Sequence, residues 1–169
     1  VGSGYGMLQS TAVIGATSTT VQLAQGNPSS VDNHYNGDSV YIQSGTGLGQ
    51  LRRIVNYDGS SRTLTTNTGF STTPDTTSTV IISPTVNIVG DGVGALAYSL
   101  VNTNGNISNV NVIATGSKYT HAKAFITSNT VQGTGATANV IISPIGGHGK
   151  DPIRELGGNK VCINAQFKG

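Results

Sequence analysis

Short runs of β-branched residues, each closed by a turn-forming segment, recur along this chain of 169 residues. Val80-Ile81-Ile82 and Val140-Ile141-Ile142 both end in Ser-Pro, and Thr11-Ala12-Val13-Ile14 ends at a glycine. Runs of this length, bounded by Gly, Pro, Asn, Asp or Ser, are typical of β-strands. We therefore predict an all-β fold of small β-sandwich or barrel-like modules connected by hairpins.

The composition argues against helices. Charged residues make up 9% of the chain and there are 24 glycines, so Thr, Ser and Asn must supply the polar surface. These side chains compete for backbone hydrogen bonds, and glycine loses much backbone entropy in a helix. One short helix is predicted near the C-terminus, capped by Asp151, with Pro152 at its first position and Gly157 at its end. The Val and Ile clusters argue against disorder.

The first half of the chain shows the strand pattern most clearly. Asp58-Gly59 predicts a tight hairpin turn, because both residues tolerate positive φ. The expected strands cover residues 11–14, 19–23, 38–43, 51–57, 62–66 and 77–83.

An internal sequence repeat follows Pro84. Gly92-Val93-Gly94-Ala95-Leu96-Ala97 is repeated as Gly133-Thr134-Gly135-Ala136-Thr137-Ala138, which indicates a unit of about 40 residues. We predict an N-terminal β module at 1–84, a β module with this internal repeat at 85–145, and a C-terminal loop, short helix and strand at 146–169.

The sequence offers no catalytic constellation. It has no G-x-S-x-G elbow, and Gly45-Thr46-Gly47-Leu48-Gly49 lacks the Lys-Ser/Thr ending of a phosphate loop. His34, His121 and His148 show no recurrent metal-ligand spacing. One Glu and six Asp leave room for a glycosidase-type carboxylate pair, which stays open as a third hypothesis. We predict that the chain is not an enzyme and holds no metal or cofactor.

Charge and hydropathy give no sign of nucleic-acid or membrane partners. The formal net charge of +2 is scattered, with Arg52-Arg53 as the only adjacent basic pair. No apolar stretch approaches the roughly 18 residues of a membrane span. The single cysteine, Cys162, cannot form an internal disulfide. The chain begins at Val1 and ends just after a strand-like run, so we expect a section of a larger subunit.

Residues 35–84 resemble a module that recurs in bacteriophage tail and baseplate proteins. The resemblance lies in five short motifs: Tyr35-Asn36-Gly37, Ser44-Gly45-Thr46-Gly47-Leu48-Gly49-Gln50, Arg52-Arg53-Ile54, Tyr57-Asp58-Gly59 and Pro74-Asp75-Thr76-Thr77-Ser78. The resemblance implies a virion structural protein without catalytic residues.

Two further stretches carry similar resemblances. Gly116-Ser117-Lys118-Tyr119, with the later Gly133–Ala138 phrase, looks like a second widespread phage element. Ser143–Gly149 followed by Asp151–Gly158 is similar to a stretch of baseplate wedge proteins of T-even-like, contractile-tailed phages, notably those infecting cyanobacteria. This last motif is the most specific of the three.

The resemblance implies a baseplate wedge component that mediates protein–protein assembly in the phage tail. Its expected partners are other tail or baseplate proteins, with a homo-oligomer as a further candidate. It would be part of the virion, assembled in the host cytoplasm. The alternative is a receptor- or carbohydrate-binding module of a tail fibre. The candidate assembly contacts are Gly146, Gly147, His148, Gly149, Arg154, Arg52 and Arg53.

Overall fold

The computed structural model describes residues 3–128 and 133–144, together with Ile153 and Gly157. Nearly all regular structure in this part of the chain is β-strand, so the predicted all-β, barrel-like fold is confirmed. The strands are β1 (Leu8–Ala16), β2 (Thr20–Leu23), β3 (Ser39–Ser44), β4 (Leu51–Asp58), β5 (Thr63–Thr66), β6 (Thr79–Ser83), β7 (Thr85–Gly90), β8 (Val93–Val101), β9 (Ile107–Ser117), β10 (Ala122–Thr127) and β11 (Thr137–Ala138).

The first six strands form a closed barrel in the order β1-β2-β5-β4-β3-β6, and every neighbouring pair is antiparallel. Closure gives each strand two neighbours, so the barrel has no free edge to pair with another chain. The β-branched and aliphatic residues of the predicted strands point inward. The largest fully buried side chains include Val13, Val21, Leu23, Val40, Ile42, Ile54, Tyr57, Leu64, Val80 and Ile82.

The remaining strands form a five-stranded sheet in the order β11-β10-β7-β8-β9, which curls into a half-barrel. β7 and β10 lie at its centre as an antiparallel pair, with Val86 opposite Ile126 and Ile88 opposite Ala124. The inner face holds a small core with Tyr5, Val101 and Ile126 buried. β6 ends at Ser83 and β7 begins at Thr85, so only Pro84 separates barrel and sheet along the chain.

Buried hydrogen bonds join the barrel to the sheet. The hydroxyls of Ser39 and Thr85 lie 2.7 Å apart in a buried contact, and Thr85 Oγ1 donates to the Gly37 carbonyl at 2.8 Å. The rings of Tyr41 and Tyr98 stack across the same junction, with centroids 4.5 Å apart. Because buried polar groups are costly when unpaired, this network fixes the sheet against the barrel.

We predict that Thr85→Val destabilises the junction. The substitution keeps the shape of the side chain but removes the hydroxyl that contacts Ser39 and Gly37, at a cost of about 1–3 kcal/mol. Chemical denaturation measures the loss, and hydrogen exchange should show faster opening of β7. The control is Thr127→Val, because Thr127 pairs with Thr85 in register but is exposed. Equal effects of the two changes would contradict the prediction.

The turn after β4 differs from the predicted one. Asp58 is the last residue of β4 and β5 begins at Thr63, so residues 59–62 make a longer connection. The residue with positive φ there is Arg62, at 58°. Gly59 is required for a different reason, since a Cβ on it would lie 2.4 Å from the backbone of Ser30. This position therefore requires glycine because a neighbouring loop packs against it, and not because of the local turn geometry.

The C-terminal predictions fall mostly outside the described residues. Of the expected helix at 151–157, the structure describes Ile153, which is helical, and Gly157, whose φ is 69°. No helix in the described part of the chain has the length and apolar character needed to cross a membrane.

Candidate functional site

Two loops that carry the glycine-rich motif and the Pro74–Ser78 motif meet at one end of the barrel. Residues 44–50 connect β3 to β4, and residues 69–78 lead into β6; together we call them the loop cluster. Gly45, Gly47 and Gly49 all have positive φ, between 75° and 89°. Gly45 also lies directly against the second loop, because a Cβ on it would be 2.2 Å from the Thr77 carbonyl oxygen. The glycines therefore permit a close approach of two backbones, in a loop that leads into strand β4.

Asp75 ties the two loops together. Its carboxylate accepts hydrogen bonds from the Thr46 hydroxyl at 2.7 Å and from the Thr77 amide at 2.8 Å. Ser78 Oγ completes the link by donating to the Thr46 carbonyl at 2.7 Å. Hydrogen bonds from the hydroxyls of Thr77 and Thr46 lower the pKa of Asp75 below its usual value. The Pro74–Ser78 motif is thus a brace for the glycine-rich loop.

Gln50 forms a second brace. Its amide nitrogen donates to the carbonyls of Gly47 and Thr72, at 3.1 and 2.7 Å. Its amide oxygen accepts from both the amide and the hydroxyl of Ser71, at 2.7 and 2.9 Å. One side chain therefore satisfies backbone groups in both loops, which explains why glutamine closes the glycine motif.

The two arginines proposed as assembly contacts have different surroundings. Arg52 Nε donates to the Gly69 carbonyl at 2.9 Å, and its guanidinium lies 5.6 Å from the centre of the Phe70 ring. Arg53 is exposed. Arg52 therefore braces the loop within the chain, and Arg53 is the better placed of the two for a partner. The other proposed contacts, Gly146, Gly147, His148, Gly149 and Arg154, lie outside the described residues.

A tyrosine pair organises the opposite loops of the barrel. Tyr35 and Tyr57 pack edge to face with ring centres 4.7 Å apart. The Tyr57 hydroxyl donates to the Ser29 carbonyl at 2.7 Å, while the Ser29 amide donates to the Tyr35 hydroxyl at 3.0 Å. Desolvation, followed by the charge effect of Tyr35, raises the pKa of Tyr57 to about 12. Both motif tyrosines therefore hold a loop in place as neutral groups.

We predict an unusually acidic carboxyl group at Asp58. Hydrogen bonds from the Ser60 hydroxyl and then the Ser61 amide lower the pKa of Asp58 to about 2. The stabilisation from this group is therefore fully present above pH 3.8, the ordinary value, and is lost as the pH falls through about 2. NMR titration of the carboxyl carbon should show the low midpoint, and Ser60→Ala should raise it. A midpoint near 3.8 in the unsubstituted chain would disprove the assignment.

In the second sheet, the Gly116–Tyr119 motif ends β9 and begins the turn that leads to β10, and its aromatic ring lies on glycines. A Cβ on Gly92 would lie 2.4 Å from Cγ of Tyr119, and one on Gly116 would lie 2.8 Å from Cε2 of the same ring. Ser117 pairs with Val93 at the end of β9. The glycines of the two motifs thus make room for Tyr119.

Asp91 holds the residues that follow this turn. Its carboxylate accepts hydrogen bonds from the hydroxyl and amide of Thr120 and from the amide of His121. These bonds, with the Thr120 hydroxyl contributing most, keep the pKa of Asp91 well below its usual range. The carboxylate therefore stabilises the backbone at Thr120 and His121.

At the other end of the sheet Tyr5 packs on a glycine, as Tyr119 does, and the sequence did not predict this contact. Tyr5 is buried, and a Cβ on Gly133 would lie 2.6 Å from its ring. Ser3 forms a bridge with Thr134, and the Tyr5 hydroxyl accepts a hydrogen bond from the Ala136 amide at 3.1 Å. The available signal was the tetrapeptide Gly2-Ser3-Gly4-Tyr5, which shares the pattern of Gly116-Ser117-Lys118-Tyr119.

The outer face of the second sheet carries exposed apolar side chains. Lys123 pairs with Val89 and Phe125 with Asn87, so Val89 and Phe125 lie on one face of the central strands. Thr85 lies on the same face of β7 as Val89, and Tyr98 of β8 pairs with Thr85. Leu96 therefore shares that face, because it lies two residues before Tyr98 on β8. Val89, Leu96 and Phe125 are 59%, 43% and 49% exposed. We call these three residues the apolar outer face.

The described residues provide no assembled metal site, since no three of their His, Cys, Asp or Glu side chains could jointly hold an ion. Comparisons with known proteins likewise identify no relative. No protein-family model, no curated protein and no solved structure matches this chain.

Proposed function

We propose that this chain is a structural component of a bacteriophage tail, a baseplate wedge component that binds neighbouring tail proteins. The proposal starts from the sequence resemblance of residues 35–84, 107–140 and 143–158 to phage tail and baseplate elements. Its physical basis is a rigid body that presents an apolar surface to a partner.

The apolar outer face is the observation that carries the proposal. Val89, Leu96 and Phe125 lie on the side of the sheet whose Thr85 and Tyr98 contact the barrel. Beyond the barrel the same face exposes these three apolar side chains, beside Asn87 and Lys123. Contiguous exposed apolar side chains commonly mark protein–protein contacts. A neighbouring subunit would extend the burial that the barrel begins.

The tyrosines favour an assembly role over sugar binding. All six pack within the chain: Tyr5 and Tyr119 on glycines, Tyr35 against Tyr57, and Tyr41 against Tyr98. Carbohydrate modules often stack sugars on exposed aromatic rings, and here the tyrosine rings are already in use. This favours the structural proposal over the fibre-type receptor- or carbohydrate-binding alternative.

The test is photo-crosslinking in assembled particles. A photoreactive amino acid replaces Phe125 in the encoding virus, and purified particles are analysed by mass spectrometry. The matched control position is Val55, which is 51% exposed but lies on β4 of the barrel. We expect the chain in particles and a cross-link from position 125 to another tail protein, with little or none from position 55.

Several outcomes would overturn the proposal. The chain could be absent from purified particles, or position 125 could cross-link no more than position 55. Specific binding on a glycan array, combined with a distal location in the particle, would favour the tail-fibre alternative instead.

A further inference from the structure

Asn-Gly pairs occur twice in the sequence, and the structure gives them different surroundings. Asn36-Gly37 lies in the loop before β3, and Asn104-Gly105 lies in the turn between β8 and β9. In such a pair the glycine amide nitrogen can attack the asparagine side chain, because glycine has no Cβ to hinder the approach. Whether a folded chain permits this reaction depends on how freely the two groups can move.

Asn36-Gly37 is held on both sides of the reacting bond. The Gly37 amide donates to the Ile54 carbonyl of β4 at 2.9 Å, and the Gly37 carbonyl accepts from the Thr85 hydroxyl at 2.8 Å. The Asn36 side chain donates to Asn33 Oδ1 at 2.8 Å, and its own Oδ1 is buried. The two reacting groups can therefore meet only after this loop leaves the barrel, which costs the free energy of local unfolding.

Asn104-Gly105 lies at the surface in a turn with local hydrogen bonds. Asn104 is exposed, and its backbone amide donates to Asn102 Oδ1 at 3.0 Å. The Gly105 amide donates to the Asn102 carbonyl, also at 3.0 Å, so the attacking nitrogen is bonded to a residue of the same turn. Freeing this nitrogen breaks one local bond and leaves the pairing of β8 with β9 in place. We therefore expect the two reacting groups to meet far more often here than at Asn36.

The same turn anchors the segment around Tyr5. The Gly105 carbonyl accepts a hydrogen bond from the Tyr5 amide at 3.0 Å, and a Cβ on Gly105 would lie 3.3 Å from the Tyr5 carbonyl oxygen. Tyr5 is buried, its ring lies on Gly133, and its hydroxyl accepts from the Ala136 amide. The position of Gly105 therefore helps to fix Tyr5 against the second sheet.

We propose that Asn104 is a site of spontaneous deamidation, and that its conversion to isoaspartate weakens the attachment of Tyr5 to the sheet. The Gly105 amide nitrogen gives its proton to hydroxide and bonds to Cγ of Asn104, and the Cγ–Nδ2 bond breaks. The side-chain nitrogen takes a proton from water and leaves as ammonia, and a cyclic succinimide remains. Water then opens the ring at either of its carbonyls and gives aspartate or isoaspartate, so no oxidant or reductant takes part.

Isoaspartate changes both the length and the charge of the turn. The main chain gains a methylene group between position 104 and Gly105, and a carboxylate replaces a neutral amide. Asn102 Oδ1 holds the turn on both sides of this bond, through the amides of Asn104 and Asn106. The longer backbone therefore displaces the Gly105 carbonyl from the Tyr5 amide. Aspartate carries the same charge on a main chain of normal length, so it should leave this contact intact.

The first measurement follows both Asn-Gly pairs in the purified chain. The chain is incubated in heavy-oxygen water at mildly alkaline pH, once folded and once in guanidinium chloride, and peptide mass spectrometry quantifies conversion at each site. We expect Asn104 to convert at least about tenfold faster than Asn36 in the folded chain, because Asn36 reacts only from a locally unfolded state. In denaturant the two rates should be comparable. Equal rates in the folded chain, or faster conversion of Asn36, would overturn the assignment.

Hydrogen exchange then tests the coupling to Tyr5. We expect the Tyr5 amide to exchange at least about tenfold faster in the chromatographically separated isoaspartate form than in the fresh chain. Two controls should keep the rate of the fresh chain: Asn104→Asp, which adds only the charge, and Asn104→Gln incubated in parallel, which forms the corresponding ring far more slowly. Unchanged exchange in the isoaspartate form, or equally fast exchange in Asn104→Asp, would overturn the proposed coupling. The purified chain alone is used, so the result does not depend on the proposed role in a phage tail.

Discussion

Leu64→Ala should destabilise the barrel by about 2–5 kcal/mol, the range for truncating a fully buried leucine. Leu64 is 0% exposed and lies in β5 between Val21 of β2 and Tyr57 of β4, both fully buried as well. Strands on both sides of β5 hold these neighbours in place, so they cannot collapse into the vacated space. Urea denaturation followed by tyrosine fluorescence provides the measurement, since the chain has six Tyr and no Trp.

Leu48→Ala is the matched control for this change. Leu48 is 62% exposed at the tip of the loop cluster, so the same truncation should alter the free energy of unfolding by no more than about 0.5 kcal/mol. A loss below about 1 kcal/mol for Leu64→Ala, similar to that of the control, would show that the barrel core is not packed as described.

Gly45→Ala should cost about 3 kcal/mol or more, through two effects that act together. At a φ of 75° a Cβ alone costs about 1–2 kcal/mol. The added carbon would also lie 2.2 Å from the Thr77 carbonyl oxygen and 2.7 Å from Ser78 Cα, so one of the two loops must move. Denaturant unfolding gives the cost, and amide NMR shifts of Thr77 and Ser78 report the displacement.

Gly49→Ala separates the two effects. Gly49 has a φ of 89° in the same loop, but a Cβ there meets nothing within 4 Å. Its cost should therefore stay at about 1–2 kcal/mol, with little change in the Thr77 and Ser78 shifts. If the two alanine variants lose equal stability, the close contact between the loops does not exist in solution.

The strands could be predicted because their signal is local. Runs such as Val80-Ile81-Ile82 have β-branched residues at most positions and clear breakers after them, and β6 covers that run. Barrel closure could not be predicted in the same way. It depends on β6 pairing with β1, for example Thr11 with Val80, and no short-range pattern selects a partner so far away in the chain.

The motif side chains were harder to interpret than the strands. Adjacent residues in a strand point to opposite faces, so the sequence alone does not tell which of Arg52 and Arg53 is available to a partner. That depends on the loop at 67–70, whose Gly69 carbonyl and Phe70 ring engage Arg52. The contact of Tyr5 could not be predicted either, because its four-residue motif lies far in sequence from Gly133, the glycine that it contacts.

The barrel is, in topological terms, an insertion within the second sheet. Tyr5 packs in the core of the sheet, the chain then makes six barrel strands, and it returns to the sheet at Thr85. Leu8 pairs with Ile82, so the two ends of the inserted segment lie side by side. Because the two ends of the folded barrel are adjacent, placing Tyr5 against the sheet costs little further loop-closure entropy. Barrels of other sizes could therefore occupy this position while Tyr5, Gly133 and the sheet remain where they are.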